Sequence, residues 1–300
     1  MNTPAETLEI VKVAGEKKAS ASWQKLLILS FFAGLMIAFA ALASTIASMN
    51  LLKTPETYGL GKLVQGFVFS GGLIMVILGG AELFTGNSLM FIALFDRKIS
   101  LKSLLRNWGI VFLGNLLGAL FLAVLVSASG LFSQNSGLLG ETLASIANTK
   151  TSLDIFSAFF LGILCNILVC LAVWMAFSAK TASGKLLACI FPVTFFVACG
   201  FEHSIANLFY IPTGFFAENS FNFLGLLHNL LPVILGNIIG GGIFVAGGYF
   251  FSLKSDTISL WKNKKTSPLI SISNQPKNSR SATTKTQKPK KNSQKTTKNS

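Results

Sequence analysis

The stretch Gly200-Phe201-Glu202-His203-Ser204-Ile205-Ala206-Asn207 places a carboxylate, an imidazole and a carboxamide within six residues, inside an otherwise apolar run over residues 186–216. Ionisable groups at membrane depth are costly, and where they occur they line a path or pair with one another. A carboxylate accepts backbone N–H bonds, an amide both donates and accepts, and an imidazole titrates near neutrality when unperturbed. An earlier stretch, Gly80-Ala81-Glu82-Leu83-Phe84-Thr85-Gly86-Asn87, fits the same G-x-E-x-x-x-x-N pattern 120 positions away. Two such stretches in apolar surroundings imply chemistry done twice, or one site built from two halves.

The elements that carry them follow from hydropathy. The chain is 51% hydrophobic and 12% charged, with a positive mean hydropathy, and its repeated apolar runs of span length indicate a polytopic all-α membrane protein. Of 25 Lys and Arg, 12 lie in residues 254–300 beside one acid, so the net charge of +14 belongs mostly to a tail and gives no ground for nucleic-acid binding. That tail has little to bury and is expected to be disordered. The four cysteines fall within apolar runs without C-x-x-C pairing and read as small buried hydrophobes. No metal or other cofactor is expected.

Six spans are expected, near residues 26–49, 63–95, 108–127, 155–178, 186–216 and 224–251. The second has 33 residues, about 50 Å if helical against a hydrocarbon core of about 30 Å. One straight helix does not fit. A half-helix over 63–79, a loop over 80–87 and a second half to 95 do, with Gly79, Gly80 and Gly86 supplying permissive backbone. The fifth run is also too long and is expected to break at 200–207. Residues 129–152, rich in Gly, Ser and Asn, read as a loop holding Lys150. Residues 1–25 fit either a short interfacial helix or a frayed terminus. With the N-terminus inside, inside segments before the tail carry ten Lys and Arg and outside segments three, which places both termini in the cytoplasm.

Three matches suggest an internal repeat. Besides the two signature stretches, Gly114-Asn115-Leu116-Leu117-Gly118 matches Gly236-Asn237-Ile238-Ile239-Gly240, 122 positions on, and Phe31-Phe32-Ala33-Gly34 matches Phe159-Phe160-Leu161-Gly162, 128 on. An odd number of spans per copy forces opposite orientations. Inverted repeats broken at the same place mark a substrate path at the midplane. The domain plan is a segment 1–25, a membrane body 26–253 of two three-span repeats (26–128 and 154–252), and a tail 254–300.

These motifs resemble the formate/nitrite transporter family, with Gly200 to Pro212 similar to its second signature, Glu82 to Asn87 similar to the loop breaking its second helix, and likeness over roughly residues 4–253. The resemblance implies an aquaporin-like homopentamer in a cell (inner) membrane, one pore per protomer, passing formate, nitrite or hydrosulfide. It implies a central site of His203 faced by Thr85, supported by Glu202, Asn166 and Asn237, and an outer attractor, Lys150. Implied constrictions are Phe69, Leu73, Leu83, Val169 and Phe196. The implied role of the N-terminal segment is pH-dependent gating.

A small anion crossing a dry constriction must replace its lost hydration. Either amide and backbone donors substitute for water, or the anion takes a proton and crosses as a neutral acid, with His203 as the titrating group. Asn166 and Asn237 fit substrate contact and interhelical bonding equally. An intramembrane enzyme is disfavoured, because the chain has two histidines and neither H-E-x-x-H nor G-x-S-x-G. A neutral-solute channel leaves the buried carboxylates and imidazole without a purpose.

Overall fold

The computed structural model describes residues 1–256, and among them all regular structure is helical. In chain order the helices are α1 (Pro4–Ser20), α2 (Trp23–Ser48), α3 (Pro55–Gly79), α4 (Phe91–Phe95), α5 (Leu101–Ala128), α6 (Leu138–Thr151), α7 (Ile155–Ser178), α8 (Ala182–Ala198), α9 (Ser204–Ala217) and α10 (Phe223–Ile238). A 3₁₀ turn, Gly86–Met90, precedes α4, and α10 continues as a π-helical segment, Ile239–Gly247. The basic tail beyond 256, with its expected disorder, lies outside the described residues.

Five helices are long and apolar enough to cross a membrane: α2, α3, α5, α7 and the continuous Phe223–Asp256. The run over 186–216 is divided between α8 and α9, of 17 and 14 residues, neither of which spans alone. Many large apolar side chains face outward, including Phe156, Phe160, Phe191, Leu231 and Leu235. A chain with this surface is a multi-pass membrane protein, since lipid or a neighbouring subunit must cover it.

Both predicted breaks are present. Gly80 and Gly200 end α3 and α8 with φ of +66° and +74°, a region where an L side chain is strained. The first half-helix is longer than the predicted 63–79 and starts at Pro55, because proline sits at its first position with Glu56 in the first turn. The glycines of Tyr58-Gly59-Leu60-Gly61 lower the local apolar signal; Gly61 packs against Leu51 and Leu52. The predicted loop over 129–152 is also corrected. It contains α6, whose Leu139, Leu143 and Ala147 recur at helical spacing and are fully buried. Lys150 therefore sits on a helix and not in a loop.

Close helix crossings fix the body. α2 packs on α5 and α3, α7 on α10 and α8, and α3 on α8. At Gly118 a Cβ would collide with the Phe31 carbonyl oxygen, and at Gly240 with that of Ile163, so glycine permits the same approach of α5 to α2 and of the π segment to α7. The terminal segment is a helix with a capping box of Thr3 and Glu6. Its buried Leu8 and Val11 are packed into the body rather than frayed, and Asn2 donates its backbone N–H to Ser178 O at 2.8 Å. Lys12 bonds Glu9 (2.6 Å) and Asp96 (3.2 Å). Burial opposes the Lys12 charge, yet the two carboxylates more than offset it and hold its pKa above the ordinary lysine value.

Candidate functional site

Each break is held by one asparagine. At the first, Phe84 N–H donates to Asn115 Oδ1 (2.9 Å), while Asn115 Nδ2 donates to Ser30 O (2.7 Å) and Glu82 O (2.9 Å). At the second, Ser204 N–H donates to Asn237 Oδ1 (3.0 Å), and Asn237 Nδ2 to Gly162 O (2.8 Å) and Glu202 O (3.0 Å). The Glu82 and Glu202 amides donate to Leu29 O and Leu161 O, each at 3.3 Å. A broken helix exposes backbone groups that lipid cannot satisfy, and these bonds satisfy them. They pair Leu29 with Leu161, 132 apart, and so correct the register given by the Phe-Phe-x-Gly match by one helical turn.

Each break also carries an ion pair in an amide frame. Lys18 Nζ lies 2.7 Å from Glu82 Oε2 and donates to Asn87 Oδ1 at 2.8 Å; Asn87 Nδ2 donates to Glu82 and to Asn107 Oδ1, both at 2.9 Å. Lys150 Nζ lies 2.7 Å from Glu202 Oε1; Asn207 Nδ2 donates to Glu202 Oε2 (2.6 Å) and Asn229 Oδ1 (2.7 Å). Asn107 and Asn229 donate back to the Lys18 and Lys150 carbonyl oxygens, at 3.2 and 2.9 Å. A charge at this depth is costly when unpaired, and each carboxylate here has a lysine. Lys18, Asn107 and Asn229 were missed by sequence reasoning. The signal was present: Asn107 and Asn229 stand 122 apart, as Asn115 and Asn237 do.

Between the frames a side-chain hydrogen bond joins the two breaks. His203 Nε2 is 3.0 Å from Thr85 Oγ1, and both residues are buried. His203 Nδ1 accepts the Ala206 N–H at 3.1 Å and caps α9. A nitrogen that accepts carries no proton, so the neutral ring has its hydrogen on Nε2 and donates to Thr85. The Thr85 hydroxyl proton has no other partner among the described residues. Phe196 stacks on the His203 ring at 5.8 Å, and Phe69 meets Phe196 edge-on at 5.8 Å.

Two cavities approach this pair. The first, of about 350 Å³, is lined by Lys18, Glu82, Leu73 and Leu83 among others. The second, of about 250 Å³, is lined by Lys150, Glu202, Phe69, Phe196 and His203. Phe69 and Leu73 are one turn apart on α3, so the cavities reach adjacent levels of one helix face. Phe69, Leu73, Leu83, Val169 and Phe196 all belong to one buried cluster, and Val169 lines neither cavity.

The Asn166 amide donates to Thr85 O (3.2 Å), Ser88 Oγ (3.2 Å) and Asn237 O. With the bonds of Asn237 above, both amide groups are occupied by protein partners. Cys165, Cys170 and Cys189 are buried as expected, whereas Cys199 is exposed because it closes the last turn of α8 at the break. Among the described residues no group of three His, Cys, Asp or Glu side chains is placed to hold a metal ion.

The sequence model of the family described as "Formate/nitrite transporter" matches residues 5–251. The "Probable formate transporter" of Methanothermobacter thermautotrophicus is 38% identical over 264 residues, covering 83% of this chain and 96% of that protein. "Formate channel FocA" of Escherichia coli (strain K12) is 36% identical over 266 residues, covering 82% and 93%. A solved structure described as "Pentameric formate channel with formate bound" superposes with a TM-score of 0.69 at 37% identity, over 79% of this chain and 99% of that one.

Proposed function

The chain belongs to the formate/nitrite transporter family, and we propose that it passes small monovalent anions, formate foremost, through one path per subunit of a homopentamer. Two similar proteins named for formate and a pentameric neighbour holding formate support this reading. The observation that carries it is local: two cavities, each with a lysine–glutamate pair, approach one buried Thr85–His203 contact, with Phe196 stacked on the imidazole, Phe69 against Phe196, and Leu73 and Leu83 in the wall of the first cavity. The domain plan goes with it, 26–253 serving transport and α1, within 1–25, serving as a gating segment. The ten-to-three distribution of basic residues supports cytoplasmic termini in an inner membrane.

An anion leaving either cavity loses water and needs donors. The amides of Asn166 and Asn237 are engaged, so the donors available to it are the Thr85 hydroxyl and, once the anion takes the place of Thr85 as acceptor, His203 Nε2–H. Hydrogen bonds to a charged group contribute about 1.5–3 kcal/mol each. Asn166, Asn237 and Glu202 act as positioning residues that hold the two donors face to face. A second reading follows from the apolar side chains packed between the cavities: such a barrier passes a neutral acid more readily than an anion, which favours proton-assisted passage. A proton landing on His203 Nδ1 would displace the Ala206 N–H, and losing a helix cap costs about 0.5–2 kcal/mol. The neutral ring is therefore the resting state, and the proton travels with the substrate rather than being stored on the ring.

The test is internal-pH tracking in proteoliposomes under formate, nitrite and hydrosulfide gradients in turn. A formate-driven pH change lost in His203→Ala supports both readings. Formate flux without a pH change removes the proton. Absence of flux with any of the three ions, with and without residues 1–25, removes the transport assignment.

A further inference from the structure

The two cavities are lined at matching positions. Gly80, Glu82 and Asn87 line the first as Gly200, Glu202 and Asn207 line the second, 120 positions on, and Lys18 matches Lys150, 132 on. The same offsets pair Lys17 with Thr149 and Gln65 with Lys185. All four of these residues line their respective cavities. The first cavity thus carries two ammonium groups where the second carries a hydroxyl and an amide.

Neither of these lysines forms an ion pair among the described residues. The Asp and Glu side chains all lie within residues 1–256, and among the described residues the ion pairs formed are those of Lys12, Lys18 and Lys150. Lys17 is exposed and Lys185 half-buried. The second cavity has Lys62 as its own added cation, lying 5.7 Å from the Tyr58 ring. With Glu82 and Glu202 each balanced by a lysine, two unpaired cations remain at the first mouth and one at the second. Charges of one sign lining a concave, low-dielectric wall raise the local concentration of the opposite ion. At about 350 Å³ the first cavity, whose wall includes both lysines, has room for a hydrated carboxylate or oxyanion.

We propose that Lys17 and Lys185 form an anion-collecting site for small carboxylates and oxyanions at the α1 mouth, stronger than the one at the α6 mouth. In the transport setting this rests on the reading that the chain passes anions. A passive path cannot set net direction, so the site sets how much anion half-saturates the path from the α1 side.

The test reads the potential directly, whether or not anything is transported. Ala14 lines the first cavity and carries no charge. An Ala14→Cys reporter in a Cys199→Ser background is reacted with anionic and cationic methanethiosulfonates of matched size. At ~10 mM salt, where screening reaches about 30 Å, Lys17→Gln with Lys185→Gln lowers the anionic-to-cationic rate ratio several-fold. At ~1 M salt, where screening is about 3 Å, the drop vanishes. Lys17→Arg with Lys185→Arg keeps the ratio, which separates charge from folding. A ratio that ignores the glutamines, or a drop that persists in high salt, overturns the proposal. In oriented vesicles the glutamine pair raises half-saturating formate several-fold from the α1 side alone; an equal rise from both sides also overturns it. Loss of flux in the unaltered chain would strike the transport reading instead, leaving the modification ratios to stand or fall by themselves.

Discussion

Set side by side, the break at 80–87 and the break at 200–207 share their frame and differ in their contents. Glycine with positive φ, glutamate on a lysine, and asparagine on a second asparagine occur in both. Leu83 stands where the other has His203, and Thr85 where the other has Ile205. In the hydrogen-bonded register Gly34 stands opposite Asn166. The residues proposed to meet the anion therefore come from positions where the halves disagree. Matching residues build a scaffold able to hold a broken helix in a membrane, and mismatched residues give it a task. A search for repeats finds the first kind and passes over the second.

The comparison can be broken most severely through its ion pairs. The Glu202 side chain is 4% exposed and that of Glu82 12%, so the pairs are alike in geometry and unlike in burial. Removing one partner of a buried pair costs about 3–5 kcal/mol, and less where water reaches it. Glu202→Gln should lower the detergent melting temperature well beyond Glu82→Gln; equal shifts would mean burial does not separate the halves. Next in size, His203→Leu makes the second break copy the first. Losing one donor to a charged group predicts formate flux down about 10–100-fold with assembly intact, read by stopped-flow light scattering of vesicles. Gly118→Ala and Gly240→Ala test the shared crossing, and each should cost about 1–3 kcal/mol. A large effect in one and none in the other, by thermal unfolding, would show that the crossings are not equivalent. The smallest effect concerns α1. Lys12→Met should weaken its tether by under about 1 kcal/mol, detected as faster proteolysis of residues 1–20. Because the Lys12 pKa is raised in the fold, its contribution is present below the ordinary lysine range and fades as pH rises through the folded value. Digestion should therefore accelerate in strong alkali in the unaltered chain, and far less in Lys12→Met.

Much of this was legible in the sequence, for a geometric reason: runs of 33 and 31 apolar residues exceed a bilayer, and the glycines mark where they give way. Helix α6 was not legible. Its polar face gives residues 129–152 the composition of a loop, and only Leu139, Leu143 and Ala147 at helical spacing betray it. The Phe-Phe-x-Gly match misled by one turn because its phenylalanines are not core residues, Phe31 and Phe159 being half-buried and Phe32 and Phe160 47% and 57% exposed. Lipid-facing phenylalanines recur without marking register. Lys18 was invisible as a partner of Glu82 because no local pattern joins positions 64 residues apart.

The contacts of α1 also set an order of events in synthesis. Its residues leave the ribosome before those of the helices it packs on, yet Asn2 bonds Ser178, Lys12 meets Asp96 and Lys18 meets Glu82. More than half the chain must exist before the earliest helix can complete its docking. Until α1 docks, Glu82 lacks the lysine that pairs with it in the fold, a partner supplied from 64 residues earlier in the chain.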